Sequence, residues 1–159
     1  SVLARVERPL GRYAHQMTGE LERARDGVQD TFERLLAETR QLADEHLPRW
    51  LFSVCRNRAV DVQRKENRMK PQRDDEMDRH PAAGPGPVAV AERRADARNV
   101  LAALDRLPTN QREVVRLKFQ AGLSYKEIAD VTGHSVSNVG FLIHTAVKTI
   151  RSELGGDAR

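Results

Sequence analysis

The chain has 159 residues, of which 31% are charged and 4% aromatic, and its formal net charge is +4. Its single cysteine, Cys55, excludes an intrachain disulfide, and no apolar stretch approaches the roughly 20 residues of a membrane-spanning helix. Both observations favour the reducing cytoplasm. The abundance of Leu, Ala, Arg, Glu and Gln, without alternating Val/Ile/Thr runs, predicts an all-α fold.

Apolar positions recur every three or four residues in the first 68 residues, which predicts three amphipathic helices. The first covers about 2–17, where Pro9 is expected either to kink the helix or to divide it. The second covers about 20–40, and the third begins near 46–48 and ends near 67. Three such helices can bury a shared core, in which Cys55 is expected to lie.

Residues 69–90 differ in composition from the segment before them. They contain four of the seven prolines and a Gly-Pro-Gly-Pro run, which disfavour both helix and sheet. The segment is predicted to be a flexible linker between two domains. Its acidic residues Asp74, Asp75 and Glu76 are expected to be solvated and not to hold a metal.

Helical periodicity returns after residue 90, and the most informative stretch is 124–154. Ser124 and Glu127 have the spacing of a capping box, and Gly133 stands where a tight turn favours positive φ. A small residue at Ala129, the glycine turn and an apolar Val139 are typical of a DNA-binding helix-turn-helix. A helical hairpin that does not contact DNA is the alternative.

Polar and basic residues along the second helix of this unit are candidates for DNA contact. Its first turns could reach base edges, and its later positions could meet backbone phosphates. These candidates are Ser135, Ser137, Asn138, Phe141, Lys148 and Arg151. The third predicted helix is also basic, since residues 46–68 hold six Lys or Arg against two acidic residues.

Three segments together resemble the extracytoplasmic-function class of bacterial RNA polymerase sigma factors. Residues 26–32 (DGVQDTF) resemble the motif D-x-V-Q-[DE]-T-F. Residues 50–65 (WLFSVCRNRAVDVQRK) resemble W-L-x-x-[IV]-A-R-N-x-x-[IVL]-D-x-x-R-[RK]. Residues 104–139 resemble the C-terminal signature, including G-x-[ST]-Y-x-E-I-A and S-x-x-[NT]-V. The resemblance covers residues from about 5 to 154.

This resemblance implies an alternative sigma factor that binds core RNA polymerase and directs promoter-specific initiation. It implies a region-two-like domain at 1–68, a linker at 69–90 and a region-four-like domain at 91–159. The residues implied to dock on the β′ coiled coil of core polymerase are Asp26, Gln29, Asp30 and Glu33. The residues implied to bind the −10 element are Arg56, Asn57, Arg58, Asp61, Arg64 and Lys65. Trp50 could stack on an unpaired base, although a core role is favoured by its apolar stripe.

The helix-turn-helix is implied to read the −35 element, and the helix at 109–120 or the last helix to meet the β flap. The last helix departs from the family pattern, because Gly140, Leu142, Thr145 and Val147 stand where basic residues are common. This departure predicts weaker or altered −35 recognition. The apolar residues Phe141, Leu142 and Ile143 could instead pack against a partner, and we hypothesise that an anti-sigma protein buries some of this face.

Two alternatives stay open from the residues alone: a stand-alone helix-turn-helix regulator of duplex DNA, and an interaction protein that has lost DNA recognition. An enzyme is disfavoured, since there is no Gly-rich phosphate loop and no nucleophile or zinc motif. The five histidines have no metal-ligand spacing, and neither a metal nor a cofactor is expected.

Overall fold

The computed structural model describes residues 2–38, 42–69 and 92–155. In the last range the backbone is described from residue 92 and the side chains from residue 98. Within these ranges every regular element is helical, which confirms the predicted fold class. The helices are α1 Val2–Thr18, α2 Leu21–Ala37, α3 Leu47–Met69, α4 Glu92–Asp105, α5 Thr109–Val115, α6 Tyr125–Thr132 and α7 Val136–Glu153. A π-helical turn, Arg116–Gln120, continues α5. Residues 70–90 of the predicted linker, with Asp74, Asp75 and Glu76, lie outside the described residues.

Helices α1 to α3 form the first unit. The buried face of α1 packs on α3, where the rings of Tyr13 and Phe52 meet edge to face at a centroid distance of 5.3 Å. Helix α1 stays undivided through Pro9, although proline removes one backbone hydrogen bond. Val6 and Leu10 are buried on either side of Pro9, so packing holds both halves of the helix against the same core.

Helices α4 to α7 form the second unit. Helix α7 packs against α4, α5 and α6, and its buried face includes Val139 and Leu142. A smaller apolar cluster joins α4, α5 and α7 through Leu104, Val115 and Ala146. The second unit is therefore built around α7, whose outer face remains available to other molecules.

The two units pack directly against each other. Helix α3 lies against α6, and α1 contacts the π-helical turn. One contiguous apolar cluster includes Leu10 and Phe52 of the first unit together with Leu117 and Ile128 of the second. The sequence predicts two cores separated by a linker, whereas the structure joins most of their buried residues into one.

Candidate functional site

The outer face of α2 carries the residues that the sequence assigns to polymerase docking. Asp26, Gln29 and Glu33 are exposed, and the Gln29 amide Nε2 donates to Glu33 Oε2 at 3.3 Å. Positions spaced by three and four residues lie on one side of a helix, so these side chains form a continuous polar strip. Such a strip can bind a basic partner surface.

Asp30 lies at the inner edge of this strip and is engaged within the first unit. Its Oδ2 is 3.2 Å from Arg34 Nε on the same helix and 3.5 Å from Arg58 Nε on α3. Gly27 is buried beside this pair, and a Cβ there would make ordinary contact with Arg58 Nη1, at 3.4 Å. The pair therefore connects the predicted docking helix to the predicted −10 helix.

Helix α3 presents most of its predicted −10 residues to solvent. The exposed members share one face at spacings of four, three and one residues, and they are Asn57, Asp61, Arg64 and Lys65. Trp50 is half-buried against the apolar cluster, in agreement with the favoured core role. Phe32 of α2 packs against the same cluster. The exposed face thus combines cations for phosphate with one amide for a base edge.

Arg56 differs from the other −10 candidates because it is bound across the seam between the two units. Its Nε donates to Glu113 Oε2 at 2.7 Å, and the Tyr13 hydroxyl donates to the same oxygen at 2.5 Å. Sequence reasoning missed both Glu113 and Tyr13 as polar partners. The available signal is that Glu113 stands one helical turn before the buried Leu117, where a carboxylate requires a cation nearby.

The helix-turn-helix forms through the predicted local interactions. Ser124 Oγ accepts from the Glu127 backbone N–H at 3.1 Å, and Glu127 Oε1 accepts from the Ser124 N–H at 2.8 Å. Gly133 ends α6 with φ +86°, and Ser135 Oγ accepts from the Asn138 N–H at 3.0 Å to begin α7. These contacts confirm the predicted capping box, glycine turn and second cap.

The predicted −35 residues lie along the exposed side of α7. All six are exposed, and they are Ser135, Ser137, Asn138, Phe141, Lys148 and Arg151. The structure limits the part of the run Phe141, Leu142 and Ile143 that can meet a partner. Leu142 and Ile143 are 6% and 4% exposed and belong to the core, since their side of α7 faces α5 and α6. Phe141 alone of the three is exposed, at 63%.

Gly140 lies beside an aromatic ring that the sequence did not suggest. A Cβ at this position would lie 3.4 Å from Tyr125 Cε2, so the ring of Tyr125 covers this part of α7. Lys118 Nζ lies 5.2 Å from the centroid of that ring, within the range of a cation–π contact. An aromatic ring and a lysine from neighbouring elements therefore flank the position where the family pattern has a basic residue.

Cys55 is buried on α3 in the first unit, as predicted. Burial raises the pKa of the Cys55 thiol to about 11, against the opposing influences of a hydrogen bond with Thr31 and the charge of Arg58. A protonated, buried thiol is a poor nucleophile. Within the described residues no group of three or more His, Cys, Asp and Glu side chains could hold a metal ion. No helix there is long and apolar enough to cross a membrane.

Comparison with known proteins identifies two matching families. The family model for sigma-70 region 2 matches residues 2–69, and the model for sigma-70 region 4 matches residues 97–150. The ECF RNA polymerase sigma factor EcfG of Rhodopseudomonas palustris is 32% identical over 138 residues, which span 86% of this chain and 74% of EcfG. SigL of Mycobacterium tuberculosis is 30% identical over 148 residues, 91% of this chain and 82% of SigL.

SigE of Mycolicibacterium smegmatis is 29% identical over 144 residues, and the match spans 56% of that longer protein. A solved structure of the sigma factor RpoE from Bartonella quintana, in complex with the anti-sigma factor NepR, has the same fold. Its TM-score is 0.68 at 24% identity, over 98% of this chain and 95% of that one.

The chain belongs to the extracytoplasmic-function family of RNA polymerase sigma factors. It is an alternative sigma factor that directs transcription initiation through core RNA polymerase and promoter DNA. Proteins of this kind are generally non-enzymatic DNA-binding regulators. The alternative of a stand-alone helix-turn-helix regulator has no better support from these matches.

Proposed function

We propose that the two predicted domains have separate binding roles in transcription initiation. Residues 1–68 bind core polymerase and the −10 element, and residues 91–159 read the −35 element. The observation that carries this proposal is that three helices each expose a polar strip of distinct composition. The strip on α2 contains carboxylates, that on α3 is mostly basic, and that on α7 combines hydroxyl, amide and basic groups.

Docking on core polymerase is assigned to Asp26, Gln29, Asp30 and Glu33. Asp26 and Glu33 suit this role best, because both are exposed and can meet a basic partner without first breaking an internal ion pair. Asp30 contributes less directly, since its carboxylate is already near Arg34 and Arg58. Its expected role is to hold α2 and α3 in register beneath the docking face.

The docking assignment is tested with an Asp26→Arg/Glu33→Arg variant in a pull-down and transcription assay on bacterial core polymerase. The wild type is expected to bind core and initiate at discrete start sites, and the variant to lose both. Glu7→Arg is the matched control, because Glu7 is an exposed carboxylate on α1, away from this strip. Equal binding by the double variant and the control would contradict the assigned face.

Contact with the −10 element is assigned to Arg56, Asn57, Arg58, Asp61, Arg64 and Lys65. Arg64 and Lys65 supply phosphate attraction, and Asn57 can hydrogen-bond a base edge. Contact with the −35 element is assigned to Ser135, Ser137, Asn138, Phe141, Lys148 and Arg151. The support is their exposure along α7 within a correctly capped helix-turn-helix. The exposed Phe119 of the π-helical turn is a candidate contact for the β flap.

We further propose that the chain performs no catalysis itself and works in the cytoplasm with core polymerase, which forms the RNA. An anti-sigma protein is proposed as an additional partner. The support is that the Bartonella relative is bound to NepR and that Phe141 exposes a large apolar surface on α7.

The anti-sigma proposal is tested by capture of the tagged chain from its native host, with identification of the bound proteins. Phe141→Asp is expected to remove the anti-sigma protein and to leave core polymerase bound. Leu101→Asp is the matched control, because Leu101 is an exposed apolar residue, at 49%, on α4, to which no contact is assigned. A partner set unchanged by Phe141→Asp would exclude this face of α7 as the binding site.

A further inference from the structure

Three polar side chains from three helices meet at the seam between the units, and we name Tyr13, Arg56 and Glu113 the Glu113 cluster. Glu113 comes from α5, Tyr13 from α1 and Arg56 from α3. Both carboxylate oxygens of Glu113 face the first unit. Its Oε2 accepts from the Tyr13 hydroxyl and from Arg56 Nε, and its Oε1 accepts from Arg56 Nη2 at 3.3 Å.

The burial of this carboxylate depends on contact between the units. Glu113 is 4% exposed, and a buried charge is strongly unfavourable unless it is paired and hydrogen-bonded. Burial, together with the neighbouring Glu113 charge, raises the pKa of Tyr13 well above its ordinary value, so its hydroxyl remains a donor. Burial alone would lower the pKa of Arg56, but its bonds with Glu113 raise it overall. The donors that satisfy Glu113 thus belong to the opposite unit.

Other features of the seam oppose tight closure. Burial lowers the pKa of Arg116, the paired Asp105 carboxylate opposes this shift, and the positive charges of Arg112 and Arg12 add to it. Cations of both units therefore lie near one another there, with Asp105 as a partial counter-charge. A groove of about 500 Å³ also opens along the seam, with Pro9 on one side and Phe119 on the other. These features offset part of the apolar contact that Leu10 and Phe52 make with Leu117 and Ile128 across the seam.

The packed arrangement is incompatible with simultaneous use of both promoter elements. Elements named −10 and −35 lie roughly 25 base pairs apart, on the order of 80 Å at the rise of duplex DNA. Helix α3, which carries the −10 candidates, instead lies directly against α6 of the helix-turn-helix. Arg49 Nε of α3 lies 3.9 Å from Asp130 Oδ2 of α6. The units must move apart before one molecule can span both elements.

We propose that the Glu113 cluster is a latch that holds the free protein closed and occupies Arg56, so that promoter binding requires the latch to open. The proposal rests on the assignment of Arg56 and α7 to DNA given above. It adds a regulatory role for Glu113 and Tyr13, neither of which is assigned to polymerase or DNA. Loss of the Glu113 charge leaves Arg56 free and shifts the population toward the open form.

The first test measures closure without polymerase, by small-angle X-ray scattering of the full chain. Glu113→Gln is expected to increase the radius of gyration, and Tyr13→Phe to increase it less, since Arg56 still pairs with Glu113. Glu153→Gln is the matched control, because Glu153 pairs with Arg106 inside the second unit. Circular dichroism verifies that helix content is retained. A Glu113→Gln chain that is folded and as compact as the wild type would overturn the latch.

The second test holds the seam closed. An Arg49→Cys/Asp130→Cys chain is bridged by a short thiol-reactive linker that contains a reducible disulfide; the buried Cys55 should remain unmodified. The bridged chain is expected to lose at least about tenfold in core-dependent transcription and to recover on reduction. Equal transcription before and after reduction would overturn the requirement for opening.

The outcomes separate this proposal from the proposed function. If wild-type chain fails to initiate with core polymerase, the proposed binding roles of the two domains are wrong, whereas scattering by Glu113→Gln still decides whether the latch exists. If the wild type and the reduced Arg49→Cys/Asp130→Cys chain both initiate transcription, the proposed function stands. The transcription level of the bridged chain then reports only on whether the units must separate. The expected signature of the latch is Glu113→Gln binding promoter DNA about tenfold more tightly in the absence of core, with Glu153→Gln unchanged.

Discussion

Replacement of Gly140 by lysine tests why the last helix departs from the family pattern. Gly140 lies one turn after Ser137 on α7, beside the strip that is proposed to contact DNA. A Cβ there would make ordinary contact with Tyr125, at 3.4 and 3.9 Å from two ring carbons, so a side chain fits without displacement of the backbone. The long lysine side chain can carry its ammonium beyond the edge of this ring, whose face is already near Lys118 Nζ.

Two separate effects are expected from Gly140→Lys. Removal of an interior glycine should increase the free energy of unfolding by roughly 0.5–1 kcal/mol, since glycine is a poor helix former. One new phosphate contact should steepen the dependence of log K on log salt concentration by about 0.9. That slope corresponds to about fivefold tighter DNA binding near 0.15 M salt. Repulsion between the new lysine and Lys118 should reduce this gain slightly.

Fluorescence anisotropy with duplex DNA upstream of a mapped start site, at several salt concentrations, measures the second effect. Gly140→Ala is the control, because it supplies the helix preference without the charge. Gly140→Ala and Gly140→Lys should raise the midpoint of unfolding similarly. Only Gly140→Lys should change the slope of log K against log salt concentration. If both variants have the wild-type slope, Gly140 does not face phosphate, and the assignment of this side of α7 to DNA is wrong.

Three further predictions concern the turn, the buried thiol and base recognition. Gly133→Val should reduce the free energy of unfolding by about 1–2 kcal/mol, because a branched side chain disfavours φ +86°; urea denaturation measures the loss, and an unchanged midpoint would contradict it. Between pH 9 and 11 the unfolded Cys55 thiol ionises before the folded one, so stability should fall with rising pH by up to about 3 kcal/mol. Cys55→Ala should lack that component in urea titrations across this range, and identical pH slopes would argue against it. Asn138→Ala should relax sequence preference at one −35 position by about 1–3 kcal/mol, whereas Lys148→Ala should weaken all duplexes alike; competition with single-base variants separates the two outcomes.

Local features of the fold could be predicted from sequence because each depends on neighbours in the chain. The capping box of Ser124 and Glu127 and the turn at Gly133 are set by residues within one helical turn, and the structure has all of them. Helix bounds agree within a few residues for the same reason. The exposed strips on α2, α3 and α7 follow from helical periodicity once the buried side of each helix is known.

Contacts between distant segments could not be predicted in this way. Arg56 and Glu113 are 57 positions apart, and neither residue type indicates which cation pairs with which carboxylate. Gly140 appeared only as a helix-weakening residue, because the ring that covers it belongs to another helix. Leu142 belongs by sequence to an apolar run that could meet a partner, and only the packing of α7 against its neighbours places it in the core.

The chemistry of the seam suits a closure that has to be reversible. A buried ion pair contributes little net stability, because desolvation of both charges offsets much of their attraction. Loss of one partner is nevertheless costly, about 3–5 kcal/mol, since the other charge is left buried alone. The apolar contacts across the seam would by themselves tolerate sliding, whereas Glu113 is satisfied only where Tyr13 and Arg56 both reach it. When the units part, water solvates each of these groups, so the open form needs no replacement partner. The Glu113 cluster can thus specify one closed geometry and still release Arg56 to DNA.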